Sequence, residues 1–222
     1  MENTGVIVVD LQGDFTTLKQ GSLAVDQTDQ DFLDRVQKNI QAFKKQGFKI
    51  FATQDWHPEN HISFYTNHPG NQPFDVIEIE DRTQVLWPPH CIQGSENARI
   101  LLDNSLFEAI VKKGIDPQFD SYSGFRDDGG LKTKLNKILK SYSIQNVVVF
   151  GLATDYCVKA TALDALAEGY NVAVIESLSR GVAPDTTTAA IEEMKKAGIM
   201  VISEFDDRMI PENIITLFHN DH

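Results

Sequence analysis

The sequence predicts an α/β protein, a three-layer α/β/α arrangement around a mostly parallel, six-stranded, Rossmann-like sheet. Two observations predict it. Short runs rich in Val, Ile and Phe alternate with segments of helical spacing, and repeated β-α units imply parallel strands covered by helices on both faces. The chain of 222 residues, 41% hydrophobic, is long enough for a sizeable core, and no repeat, low-complexity tract or linker divides it. Residues 1–222 are therefore read as a single domain.

In order, TGVIVVD (4–10) reads as a buried strand closed by Asp10. DQDFLDRVQKNIQAFKKQG (29–47) carries Phe32, Val36, Ile40 and Phe43 at helical spacing and stops at Gly47. FKIFATQD (48–55) is the second strand, closed by Asp55. Residues 56–105, rich in Pro, His and Asn, form a long excursion of the kind that carries function. SLFEAIVKKG (105–114) contains the third strand, LKTKLNKILKSYS (131–143) a helix, and QNVVVFG (145–151) the fourth strand. A helix capped by Thr154 runs to about Glu168. NVAVIES (171–177) is the fifth strand, DTTTAAIEEMKKAG (185–198) a helix with an Asp cap and a Gly stop, and GIMVISE (198–204) the sixth strand.

Composition excludes several functions. A net charge of −12 argues against a nucleic-acid partner, which needs clustered Lys and Arg, and against an anionic membrane surface. No run approaches the ~18 apolar residues of a membrane span. MENTGVIVVD has no basic region or cleavage site of a signal peptide, and Cys91 and Cys157 cannot make a disulfide framework, so a reducing cytoplasm is expected.

Ligands of open parallel sheets bind beyond the carboxyl ends of the strands. There the chain places Asp10, Asp55, Lys112 and Lys113, and Thr154, Asp155 and Cys157. A carboxylate, an amine and a thiol can converge on that rim. With Thr154 as cap, Cys157 falls in the first helical turn. The helix dipole there lowers a thiol's pKa, and free backbone N–H groups can bind an oxyanion. The competing reading is a small buried hydrophobe facing the sheet. Lys112 and Lys113 alternate faces, and pattern alone does not decide which enters the rim.

A second constellation is DWHPENH (55–61) with WPPHC (87–91). Asp55, His57, His61 and His90 supply the donors for one divalent transition ion, with His68 able to replace His61 or His90. Capping by Asp55 and solvated loop imidazoles are the bland alternative. Cys91 reads as a structural thiol, and His219 and His222 as solvated.

Taken together, VVDLQGDF (8–15), GSLAV (21–25), DWHPENHISF (55–64), WPPHCIQG (87–94), VKKG (111–114) with SYSGF (121–125), GLATDYCVKATALDA (151–165) and GVAPDTT (181–187) resemble the nicotinamidase/pyrazinamidase family of isochorismatase-like cysteine hydrolases. The resemblance covers most of the chain. It implies the isochorismatase-like fold and hydrolysis of nicotinamide to nicotinate and ammonia through a Cys thioester, with pyrazinamide as a further substrate. It assigns Asp10 as acid/base, Lys113 as the lysine, Cys157 as nucleophile, and the backbone N–H groups of Ala153 and Cys157 as the oxyanion hole. Asp55, His57, His61 and His90 become metal ligands, for Zn first and Fe or Mn otherwise, so His68 drops out. Phe15, Trp87 and Tyr122 become walls for the pyridine ring. A cis peptide at Leu152–Ala153 and a homo-oligomer are also implied. Gly13, where Asn is frequent, and a longer stretch between Lys113 and Tyr122 depart from the pattern. The rivals are an amidase for carbamoyl or ureido substrates, a non-catalytic binding module on the same fold, and a redox-sensing thiol protein.

Overall fold

The computed structural model describes residues 3–203 and Phe218. Six strands form one sheet: β1 (Thr4–Val9), β2 (Lys49–Asp55), β5 (Ala109–Lys113), β6 (Asn146–Gly151), β7 (Asn171–Ile175) and β8 (Met200–Ile202), in the order β5-β2-β1-β6-β7-β8. Every pairing in it is parallel. Glu204, expected in the last strand, lies outside the described residues, as do His219 and His222.

Strand period and helix period meet on the two faces of this sheet. Val6, Val8, Ile50, Ala52, Val148 and Phe150 pack on one side against α1 (Gln30–Lys45) through Phe32, Val36, Ile40 and Phe43. Ile7, Val9, Phe51, Val147 and Val149 pack on the other side against α2 (Leu135–Ser141), α3 (Lys159–Ala167) and α4 (Pro184–Lys196). Each large side chain so buried contributes roughly 1.5–3 kcal/mol. Helix α1 begins as expected, with the Asp29 carboxylate accepting the Phe32 N–H at 3.1 Å.

Three helix starts differ from expectation. Residues 131–134 do not join α2, because the Thr133 N–H donates to Phe125 C=O at 2.8 Å and its hydroxyl to Gly124 C=O at 2.6 Å. Helix α4 starts at Pro184, whose missing N–H costs nothing in a first turn, so Asp185 is not its cap. The helix after β6 starts at Lys159, not directly after Thr154. The excursion also contains an unexpected antiparallel hairpin, β3 (Val76–Ile79) with β4 (Arg82–Val85).

The chain leaves β1 toward β2 and β5, then crosses to β6 on the other side of β1. That reversal opens a crevice at the carboxyl ends of β1 and β6.

Candidate active site

Asp10 follows β1 with a left-handed φ of 46° and no solvent exposure. Its Oδ1 accepts the Thr53 hydroxyl at 2.7 Å, and its backbone N–H donates to Thr53 Oγ1 at 3.3 Å. Lys113 stands beside Asp55 in the parallel ladder between β2 and β5. Strand alternation turns Lys113 inward, 1% exposed, while exposed Lys112 lies over the Trp56 ring at 3.6 Å. The Lys113 ammonium sits 2.9 Å from Asp10 Oδ2, 2.5 Å from Asp55 Oδ1, 2.6 Å from Ser121 C=O and 3.4 Å from Cys157 Sγ.

Cys157 lies in a wide turn, not in the first turn of an α-helix capped by Thr154. Ala153 is the cap, Thr154–Val158 form a π-helical turn, and the α-helix starts at Lys159. The Ala153 C=O accepts N–H groups from both Tyr156 and Val158, each at 3.1 Å. The Thr154 N–H is drawn away to Arg180 C=O at 2.9 Å, a partner 26 residues on that no local pattern announces. The Leu152–Ala153 peptide is cis. Among the described residues the Ala153 N–H meets no acceptor, and Ala153 lines the cavity described below. The turn is tied to the late loop through Asp155, whose carboxylate accepts the N–H groups of Val182 (2.9 Å) and Ala183 (3.3 Å) and the Thr186 hydroxyl, and so holds the start of α4 in place.

Burial governs the protonation of this rim. It raises the Asp10 pKa above the usual carboxylate value, against the pull of Lys113. It also pushes the Cys157 thiol well up, with Asp10 and Asp55 adding to the rise and Lys113 opposing it. This reverses the lowering expected from the helix dipole, because burial beside two carboxylates outweighs one helix end. Burial disfavours the charge on Asp55, yet Lys113 and His57 hold its carboxyl far below the ordinary range. Lys113 is likewise pushed well up, by Asp10 and Asp55 against the cost of burial.

Beside these groups, donor atoms of Asp55, His57 and His90 lie within 4.8 Å of one another. His57 Nδ1–H donates to Gly114 C=O (2.9 Å) and His90 Nδ1–H to Pro88 C=O (2.8 Å), so Nε2 is the nitrogen each ring has left for an ion. Gly114, at φ 65°, is required here: a Cβ would lie 2.5 Å from His57 Nδ1. Burial first, then His57, lowers the His90 pKa to about 3, which keeps its imidazole neutral as a ligand must be. His61 is turned differently. Its ring stands 4.4 Å from that of His57, but Nε2–H donates to Phe119 C=O (3.1 Å) and Nδ1 accepts from Ser63 Oγ (2.8 Å). Both of its nitrogens are occupied away from the other three residues. His68 is bonded to Ile62 C=O at 2.6 Å and lies outside the cluster. Cys91 is fully buried, and its N–H donates to Asp14 Oδ2 at 2.6 Å. The donors, one hard carboxylate and two imidazoles, suit a divalent transition ion.

A cavity of about 200 Å³ opens over Cys157 and the imidazoles. Phe15, Trp87 and Tyr122 line it, and so do Tyr156, Phe74 and Val182, which sequence reasoning missed. Trp87 and Tyr156 meet edge to face at 5.4 Å, and Trp87 Nε1–H donates to Tyr122 Oη at 3.1 Å. Tyr156 was open to inference, since it adjoins Cys157; Phe74 gave no signal. Gly13 has a local reason: a Cβ there would meet Asn97 Cα at 2.9 Å.

The isochorismatase domain family matches residues 4–205. The chain is 41% identical to the nicotinamidase of Escherichia coli (strain K12) over 203 residues, 89% of this chain and 93% of the relative. The chain belongs to the nicotinamidases of this family. Among solved structures, a nicotinamidase/pyrazinamidase from Acinetobacter baumannii superposes with a TM-score of 0.82 at 39% identity, covering 91% of this chain and 97% of that one. A pyrazinamidase of Pyrococcus horikoshii in complex with zinc does so at 0.76 and 37% identity, covering 91% and 99%. The family relation makes the chain an amidohydrolase, and the sheet and its helices agree with the fold of these structures.

Proposed function

We propose that the protein hydrolyses nicotinamide to nicotinate and ammonia through a thioester on Cys157, as a step of NAD salvage, and that it also deamidates pyrazinamide. One observation carries this reading: a buried ammonium, Lys113, within 3.4 Å of Asp10, Asp55 and the Cys157 thiol at the floor of an aromatic cavity.

The pyridine ring lies among Phe15, Trp87 and Tyr122, with the carboxamide toward Cys157. Asp10, whose proton affinity burial has raised, takes the thiol proton as sulfur attacks the carboxamide carbon. The N–H groups of Ala153 and Cys157 hold the oxyanion, each worth roughly 3 kcal/mol. Asp10 passes its proton to the departing ammonia. It then takes a proton from the water that attacks the thioester, and returns that proton to sulfur as nicotinate leaves. Lys113 offsets negative charge on the rim throughout.

Asp55, His57 and His90 hold a metal ion in this reading; His61 joins them when its ring gives up Ser63 or Phe119. Zinc is the ion we propose, supported by the donor types and by the zinc in the Pyrococcus horikoshii relative, although iron or manganese suits the same ligands. When bound, the ion supplies a Lewis-acid contact for the pyridine nitrogen and orients the ring. The reading extends to a cytoplasmic protein without a nucleic-acid partner, supported by two buried unpaired cysteines and a net charge of −12, and to a single-domain homo-oligomer, which rests on the family resemblance.

The test is ammonia release from nicotinamide by the zinc-loaded protein beside Cys157→Ala. Release by the wild type alone is expected; none from either would overturn the reading.

A further inference from the structure

The Gln12 side chain is fully buried, and its hydrogen bonds reach none of the rim's reactive side chains. Its carboxamide is spent on backbone. Gln12 Oε1 accepts the Asp55 N–H at 2.8 Å, and Nε2–H donates to Asp55 C=O at 2.8 Å and to Ala98 C=O at 2.9 Å. The reason lies in β1. The ladder between β1 and β2 ends at Val8↔Ala52, and the left-handed turn at Asp10 carries the chain away from β2. Asp55, three residues further along β2, has lost its backbone neighbour on that side. On its other side Asp55 is still paired with Lys113. A carboxamide has the donor and acceptor of a peptide group, and Gln12 puts one where the strand would have continued.

We propose that Gln12 is a positioning residue: it stands in for a missing strand residue and fixes the Asp55 backbone, so that the Asp55 carboxylate meets Lys113 with Oδ1 and the His57 side with Oδ2. These two oxygens lie 2.5 Å from Lys113 Nζ and 3.5 Å from His57 Nε2. A carboxylate divided between two partners tolerates little displacement, and a main chain pinned on both sides fixes the Cα from which it reaches them. The inference deepens the metal reading above and rests on it.

Gln54 provides the matched control. It is also a buried glutamine, and its Nε2–H donates to the same Ala98 C=O at 2.7 Å, but its side chain has no bond to Asp55. The experiment uses full-length wild type, Gln12→Met, Gln12→Glu and Gln54→Met. Zinc affinity is read by competition with a chromogenic chelator without substrate, beside kcat, KM and thermal melting. Gln12→Met is expected to weaken zinc at least tenfold and to lower kcat. Gln12→Glu keeps the shape and one acceptor, and is expected to fall between Gln12→Met and wild type. Gln54→Met is expected to melt earlier with zinc affinity within twofold of wild type. Should Gln12→Met not fold, Gln12→Glu against Gln54→Met decides by the same criterion. Zinc affinity and kcat within twofold of wild type in the Gln12 variants, with only the melting temperature lowered, would make Gln12 a packing residue and overturn the proposal. So would a wild type that binds no zinc. Wild type that binds zinc but releases no ammonia from nicotinamide would sink the proposed activity alone and leave the positioning to be read from affinity.

Discussion

The Asp10–Lys113–Cys157 side and the His57–His90 side of one rim share the same burial, and burial drives their protons in opposite directions. It raises the proton affinity of Asp10 and Cys157 and lowers that of His90 and His61. In both cases the neutral form gains, because a low-dielectric site penalises charge of either sign. Lys113 works against that penalty, 2.9 Å from Asp10 and 2.5 Å from Asp55, and it holds Asp55 ionised. One side is thus set to exchange a proton and the other to offer lone pairs. Asp55 belongs to both.

That contrast can be broken from either side. Cys157→Ala removes the nucleophile and is expected to lower kcat for nicotinamide by at least about 10³-fold, with zinc affinity unchanged; stopped ammonia assays and chelator competition read the two effects. Lys113→Met leaves two buried carboxylates without their cation. We expect a loss of about 3–5 kcal/mol in urea denaturation, with activity down about 100-fold or more. His90→Ala should act on the opposite side, with zinc affinity falling about 100-fold and the metal-free protein's thiol alkylation rate unchanged.

The fourth prediction concerns pH. His61 titrates at about 4 in the fold, below the 6.5 of the unfolded chain, from burial first and then His57. The unfolded chain therefore binds more protons between pH 6.5 and 4. The stability held by neutral His61 is complete above 6.5 and is lost as pH falls through that window. Urea denaturation of the metal-free protein at pH 7 and pH 4.5 should show His61→Gln reducing this acid-side loss by about 2 kcal/mol. The smallest effect belongs to Cys91→Ala. Cys91 is as buried as Cys157 but has no lysine at its sulfur, so about 1 kcal/mol of stability is lost while kcat stays within threefold.

The sheet was legible because its strands are buried on both faces, and such strands read as unbroken apolar runs. The rim was legible because Asp55 and Lys113 close strands and Asp10 and Cys157 follow them closely. What escaped depends on distant partners. The hairpin at 76–85 buries little apolar surface: β3 only alternates exposed and half-buried residues, and the one buried position of β4, Gln84, is polar. The π-helical turn at Cys157 depends on Arg180, and the placement of the α4 start on Asp155, neither of them a neighbour in sequence. The rotation of His61 depends on Phe119 and Ser63, and ligand-like spacing carries no record of either.

Lys112 and Lys113 are identical neighbours, and this makes the pairing of β5 with β2 vulnerable to a particular misalignment. A shift of one rung would seat Lys112 opposite Asp55 with the same ammonium in the same place. Charge alone would not reject that mistake. Gly114 does: the shift would carry Lys113 into its position, where any Cβ falls 2.3 Å from a ring atom of His57. The glycine beneath the imidazole therefore adds a steric penalty to the misaligned register, beside the loss of Val111 from the core.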